Sequence, residues 1–250
     1  MPDSTLLNLG PASWVLLAVL LLGAAAVWRF ALSGGFRDVL AAGIRALLQL
    51  ALVALVISQV SGNPLLALLL VAVMFAVATW TSGRRVAQKG RWWMAALPIA
   101  AGVLPTGLLM FASGVLPADA LALIAVLGQQ IGGAMATTTV AGRRIEAELS
   151  TRRGEVEAGA ALGLTWPQAR MLIAGPVAGE AVLPSIDQAR TAGTVTLPGA
   201  FVGLILGGAD PFSAALVQLL VLISLLLVNT VAAWTTLQLS ARAGWRPLPR

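Results

Sequence analysis

The strongest constraint on this chain is a series of apolar stretches, each about 20 residues long and almost free of acid, recurring through most of its length. A helix of that length crosses the roughly 30 Å hydrocarbon core of a bilayer. The stretches are continuous rather than alternating, which argues against a transmembrane β-barrel. Helices satisfy their own backbone hydrogen bonds inside lipid, so helices are expected here. The expected fold is all-α and polytopic, with seven transmembrane spans at about 12–32, 39–60, 64–80, 92–111, 120–140, 191–208 and 214–239. The sixth is short and rich in Gly and Thr, and both a full crossing and a re-entrant path stay open for it. Charged residues are 10% of the chain, against about 25% in a soluble domain. No repeat, low-complexity tract or separate soluble domain is visible, so the chain reads as one domain, 1–250.

Charge placement implies an orientation. Asp3 precedes the first span and no Lys or Arg does, so a retained helix with its N-terminus outside is expected instead of a cleaved signal peptide. All sixteen Lys and Arg then fall on the cytoplasmic side or at its edge, while Asp3, Asp119 and Asp210 fall outside with no basic neighbour. The C-terminus is expected in the cytoplasm and the chain in the plasma (inner) membrane. The net charge of +6 is explained by this topology and by anionic lipid head groups, not by nucleic acid. Trp14, Trp28, Trp80, Trp92, Trp93 and Trp234 fall near span ends, as interfacial anchors do.

The chain has no Cys, His or Tyr. Disulfides, thiolate or imidazole metal sites, and Cys–His or Ser–His nucleophilic catalysis are therefore excluded. No G-x-x-x-x-G-K-[ST] loop is present, and the single lysine, Lys89, lies in an Arg-rich loop without such a motif. The chain is expected to be non-catalytic and to carry no cofactor. Any ATP-driven work would come from a separate polypeptide.

Charge and helix punctuation concentrate between the fifth and sixth spans, in an expected cytoplasmic loop at about 143–190. Arg144–Leu149 carries the fifth helix out of the membrane. A helix over about Gly154–Leu162 starts with Glu155 and Glu157, where carboxylates suit the helix dipole. Gly163 stops it. Thr165 with Gln168 forms a capping box and Pro167 suits a first turn. A further helix follows until Gly175-Pro176 breaks or bends it. A compact helix–turn–helix of this kind fits a groove on a soluble partner; an ordinary amphipathic loop is the plainer reading.

Glu157-Ala158-Gly159, Gly163, Ile173 and Gly175-Pro176 resemble, in register, the EAA loop of ABC-transporter permeases. That resemblance implies that Glu157, Ala158, Gly163, Thr165, Ile173 and Pro176 belong to a loop that seats in an ATPase subunit. A longer run is similar to the FetB/YbbM-type permeases: Ala161–Thr165, Leu183–Gly193, Val195–Gly199 and Gly207–Pro211. It implies the membrane subunit of an ABC transporter, present as a homodimer with an ABC-type ATPase, in a family linked to iron export and to aluminium tolerance in plants. Two departures stand out. The family's fifth span reads Gly-Asn-Ala/Ser-Met, where this chain has Gly132-Gly133-Ala134-Met135, and positions that tend to carry charge after the coupling turn are Gly175, Pro176 and Gly179.

Inside the spans, Gln129 and Gln130 are costly against lipid and should face protein or a watery path. Gly132 and Gly133 permit close helix packing, and Met135 offers a soft ligand or simple packing. Helix–helix contact, translocation path and dimer seam all stay open for this group. Gln49 is a further path candidate. Pro198-Gly199 implies a broken helix, as a hinge or part of the path. Asp187 and Arg190 share a helix face, as a local ion pair at the membrane edge or as a gate. The rivals to an ABC permease are an ion-gradient-driven carrier or channel, which would place acids inside the spans, and a non-transporting membrane scaffold. An intramembrane enzyme finds no nucleophile with a base.

Overall fold

The computed structural model describes residues 10–60, 63–87 and 90–242. Asp3 and Lys89, named above, lie outside the described residues, as do Arg246 and Arg250 among the basic residues counted for the topology. The helices are α1 (Pro11–Phe30), α2 (Phe36–Val60), α3 (Pro64–Val86), α4 (Ala96–Ala112), α5 (Ala120–Thr151), α6 (Arg153–Ala161), α7 (Trp166–Glu180), α8 (Leu183–Thr191), α9 (Gly199–Leu206) and α10 (Pro211–Arg242). A 3-10 turn, Trp92–Ala95, leads into α4. Among the described residues there is no strand, only an isolated bridge between Ala192 and Thr196.

Six segments are long and apolar enough to cross a membrane: Pro11–Phe30, Phe36–Ile57, Pro64–Val86, Trp92–Ala112, Ala120–Thr151 and Pro211–Arg242. They coincide with six of the seven expected spans. The other, 191–208, is not one continuous helix. It holds the last residue of α8, an irregular stretch and the eight-residue helix α9. At about 1.5 Å per residue, α9 is about 12 Å long, well short of the hydrocarbon core. Gly193 (φ +82) and Pro198 supply the break.

The chain divides into two compact units, Met1–Ser61 and Gly62–Arg250. In the first, α1 and α2 pack on each other, and Leu21 closes over the bare backbone of Gly43. In the second, α3, α4, α5 and α10 enclose Ala78, Ile99, Val103, Ile131, Ala134, Val228 and Ala232. Small residues let these helices approach closely: a Cβ on Gly102 of α4 would stand 2.6 Å from the Val228 carbonyl oxygen of α10. Local chemistry sets the helix starts. Asn63 Oδ1 accepts from Leu65 and Leu66 N–H at 3.0 and 3.3 Å, and Asp119 Oδ2 accepts from Leu121 and Ala122 N–H, both at 3.0 Å.

α5 and α10 are 32 residues each, about 48 Å long, so each exceeds the core by about 18 Å. Their C-terminal ends carry the segment that bears the charged loop.

Candidate functional site

The loop is the helix–turn–helix that local chemistry prescribes. α6 ends in a paired turn: Leu164 N–H donates to the Gly159 carbonyl and Gly163 N–H to the Ala160 carbonyl, both at 3.1 Å. Gly163 has φ +98, the left-handed region that glycine adopts freely. Two residues on, Gln168 Oε1 accepts the Thr165 backbone N–H at 2.9 Å and the Thr165 hydroxyl at 2.8 Å, closing the start of α7. The turn is thus fixed from both sides. Its tip is apolar and exposed, with Leu162 at 88%, Leu164 at 38% and Trp166 at 50% of full exposure. The sequence reading had picked out Glu157 and Ala158 and missed these side chains.

Charge stiffens the junction between α5 and α6. Arg152 ends the one and starts the other. Its Nε donates to Glu155 Oε1 at 2.6 Å, its Nη2 pairs with Glu155 Oε2, and its Nη1 reaches Glu148 Oε1 at 3.3 Å. The hydrogen bond from Arg152 holds the Glu155 carboxyl below the usual range, and its carboxylate partners raise Arg152. Glu157 is exposed and accepts from Arg153 Nε at 2.8 Å, one turn back.

The inner side of the loop is bound to the long helices. Ile173, Ala169, Ala174, Ala178 and Val156 bury against Ala141, Ile145 and Leu149 of α5 and Leu237 of α10. Arg144 of α5 pairs with Glu180 of α7, and Arg170 Nη1 donates to the Ala241 carbonyl at 3.3 Å. Of the two readings of Gly175-Pro176, a break is corrected: α7 runs on through Pro176 to Glu180. Burial of Ala174 and Ala178 on either side of Pro176 holds this stretch in place. Pro176 itself is exposed.

Beyond α7 the chain follows α10 in pieces. Arg170 meets Ala241, Ser185 Oγ accepts from Asn229 Nδ2 at 2.6 Å, and Ala192, Gly193, Leu197, Pro198 and Phe201 share a cavity of about 300 Å³ with Gln218 and Leu222. α7, α8 and α9 together therefore trace nearly the whole length of α10, antiparallel to it, with breaks at Ala181–Val182 and 192–198. Ser185 lies about 20 Å up α10 from Arg242.

Asp187 and Arg190 form an exposed pair, Oδ1 to Nη1 3.7 Å, on α8. They fall between the levels of Asn229 and Gln218, about 27 and 10 Å along α10 from Pro211. The pair therefore lies on the outer side of α8, beside the middle turns of α10.

The buried polar groups sit in the same bundle. Gln130 is 1% exposed; its Nε2 donates to Ser224 Oγ at 3.3 Å and to the Met110 sulfur at 3.4 Å, while Oε1 has no partner. Asn229 Oδ1 and Gln218 Oε1 are likewise buried without a partner. A Cβ at Gly133 would stand 2.8 Å from Asn229 Oδ1. Where the resembled pattern has Asn at 133, this chain brings a carboxamide over from α10. Gln129, Gly132 and Gln49 are exposed, and Met135 packs against the inter-helix core. Pro198 caps α9 and Gly199 opens it. Gln218, Ser224 and Asn229 went unnoticed in the sequence, although polar residues inside an apolar span were the available signal. Among the described residues no group of three or more Asp or Glu side chains is placed to hold a metal ion.

Residues 11–244 match the uncharacterised protein family UPF0014. The rice (Oryza sativa subsp. japonica) "UPF0014 membrane protein STAR2" is 35% identical over 199 residues, covering 78% of this chain and 70% of the relative. "UPF0014 membrane protein YjkA" of Bacillus subtilis (strain 168) is 30% identical, covering 76% and 77%. "Probable iron export permease protein FetB" of Escherichia coli (strain K12) is 27% identical, covering 76% and 74%. No solved structure matches. With six apolar helices of spanning length and a family match from Pro11 into the residues beyond α10, this chain is a multi-pass membrane protein and belongs to the UPF0014 family.

Proposed function

We propose that the chain is the membrane-spanning subunit of an ABC transporter, that two copies surround a path, and that a separate ATPase docking on Glu157–Pro176 drives export of a metal ion. The exposed apolar tip Leu162–Leu164–Trp166 carries this reading. Outside a membrane, exposed apolar side chains grouped on a rigid turn mark a protein contact, and Trp is among the residues that dominate such contacts. The tip is backed by a packed cluster that reaches α5 and α10, so a push on it is delivered to two long helices. The metal comes from the name of the Escherichia coli relative. Homodimerisation is supported by Gln129 and Gly132, exposed together on α5 at a depth where lipid is a poor neighbour for an amide.

Mild-detergent purification with mass spectrometry of companions tests the reading, run beside a Leu162→Asp, Trp166→Ala variant. A nucleotide-binding ATPase should accompany the wild type and be lost from a variant of unchanged thermal stability. A stable wild-type preparation with no ATPase sinks the docking reading. It would favour a gradient-driven carrier or a non-transporting scaffold.

A further inference from the structure

α3, α4 and α5 leave a groove between them over part of their length. It holds about 620 Å³ and is formed by 64–75 of α3, 103–111 of α4 and 123–131 of α5, with Leu116 and Ala118 of the turn before α5. All of its lining residues are apolar. Ala72 and Gly107 add almost no bulk, which keeps the walls apart. Leu68, Leu104, Leu108 and Phe111 line the groove and are exposed, so it opens sideways onto the face that these helices present to lipid.

The depth of the groove is informative. The spans Pro64–Val86 and Trp92–Ala112 are 23 and 21 residues, about 34 and 31 Å long, close to the thickness of the hydrocarbon core. Their ends therefore fall near its two edges. The groove begins at one pair of ends, Pro64 and Phe111, and runs about 12–17 Å along the helices. That is about half of the 30 Å core, the depth of one leaflet.

The geometry points to a lipid site: one acyl tail of an ethanolamine phospholipid fills the groove, with the ammonium of its head group on Asp119. An unfilled apolar groove forfeits dispersion contacts along its walls, and in a bilayer the neighbour at hand is an acyl chain. A helix of a second copy would cross the whole core, and a groove one leaflet deep does not match it. The head group is assigned by charge. Ala118 lines the mouth of the groove and Asp119 follows it. Asp119 Oδ2 is taken up by the cap of α5, leaving Oδ1 outside the cap. No Lys or Arg occurs in 112–119, so this end repels an anionic head group and suits one whose ammonium can donate to a carboxylate. The site is separate from the turn between α6 and α7 and does not depend on what docks there.

The test titrates the delipidated full chain in detergent with dioleoyl phosphatidylethanolamine or dioleoyl phosphatidylglycerol and counts retained lipid by native mass spectrometry. Wild type should retain one phosphatidylethanolamine per chain, about fivefold more tightly than phosphatidylglycerol. Ala72→Trp fills the groove from an exposed position and should weaken retention about tenfold. Val73→Trp, exposed on the neighbouring face of α3 and outside the groove, should bind as wild type. Asn caps a helix as well as Asp does, so Asp119→Asn should keep the tail and lose the head-group preference. Retention unchanged in Ala72→Trp, or lost equally in Val73→Trp, overturns the site. A wild type that prefers phosphatidylglycerol, or an Asp119→Asn variant with its preference intact, overturns the head-group assignment. If Ala72→Trp changes the oligomeric state in the same spectra and leaves lipid retention alone, the groove seats a second copy and the lipid site is wrong. Should Ala72→Trp fail to fold, Ala72→Leu takes its place: a smaller loss in the same direction supports the site, and no loss refutes it.

Discussion

Replacing Gly163 by Ala isolates the backbone of the turn between α6 and α7. No atom stands within 4 Å of the Cβ that Ala would add, so no packing clash arises. The cost is conformational: φ is +98, and holding an L residue in left-handed geometry costs about 1–2 kcal/mol. Gly154, nearby in α6, is the control. It too has open space around its Cβ, and its φ is not in the left-handed region. There Ala should gain up to about 1 kcal/mol of helix propensity. The two substitutions add the same methyl group and are expected to differ by about 1–3 kcal/mol. If Gly163→Ala shifts the turn instead of unfolding it, its own penalty of about 1–2 kcal/mol depletes the observed turn geometry by roughly 5- to 30-fold. Thermal unfolding in detergent and ATPase capture should be measured on both variants. Equal stability and equal capture would refute the claim that the left-handed residue and its paired hydrogen bonds set the angle between α6 and α7.

Gly102→Ala should destabilise by about 1–3 kcal/mol, because its Cβ meets a backbone carbonyl of α10 that cannot swing aside, whereas Gly132→Ala, with nothing within 4 Å, should be neutral or stabilising in the same unfolding assay. Ile173→Ala, 8% exposed where α5, α7 and α10 meet, should cost about 2–5 kcal/mol and loosen the loop from its supports, visible as new protease cleavage between Glu157 and Glu180. Glu155, held low by its hydrogen bond from Arg152, contributes to the α5–α6 junction above the ordinary carboxylate range and loses that contribution as pH falls through its lowered value; in Arg152→Gln its carboxyl resonance should titrate back in the ordinary range.

What was legible in the sequence was local. Thr165 with Gln168 and the turn at Gly163 are decided by neighbours within a few residues, and the structure follows them. Hydropathy found the six long helices for the same reason. It also counted 191–208 as a span, since a window average registers Phe201–Leu206 but not the interruption that Gly193 and Pro198 impose. At Pro176 a break and a bend both stayed open because the packing that carries α7 past it, Ala174 and Ala178 against α5 and α10, joins residues far apart in the chain. The same distance hid the polar set. Gln130 is conspicuous alone, but Ser224, Asn229 and Ser185 take on meaning only once α5, α8 and α10 lie together. That Asp187 and Arg190 lie beside the middle of α10 likewise depends on the contact between Ser185 and Asn229.

α8 and α9 bury no residue at all, whereas α5 and α10 are anchored along much of their length. Two stiff struts thus stand beside a compliant one. A load applied at the Gly163 turn would be borne by α5 and α10 with little strain and would concentrate its displacement in Ala181–Pro198. Amide hydrogen exchange should find this stretch faster than α5 and α10. A thin, yielding element between rigid ones lets a small stroke be spent on one segment without repacking the bundle around it.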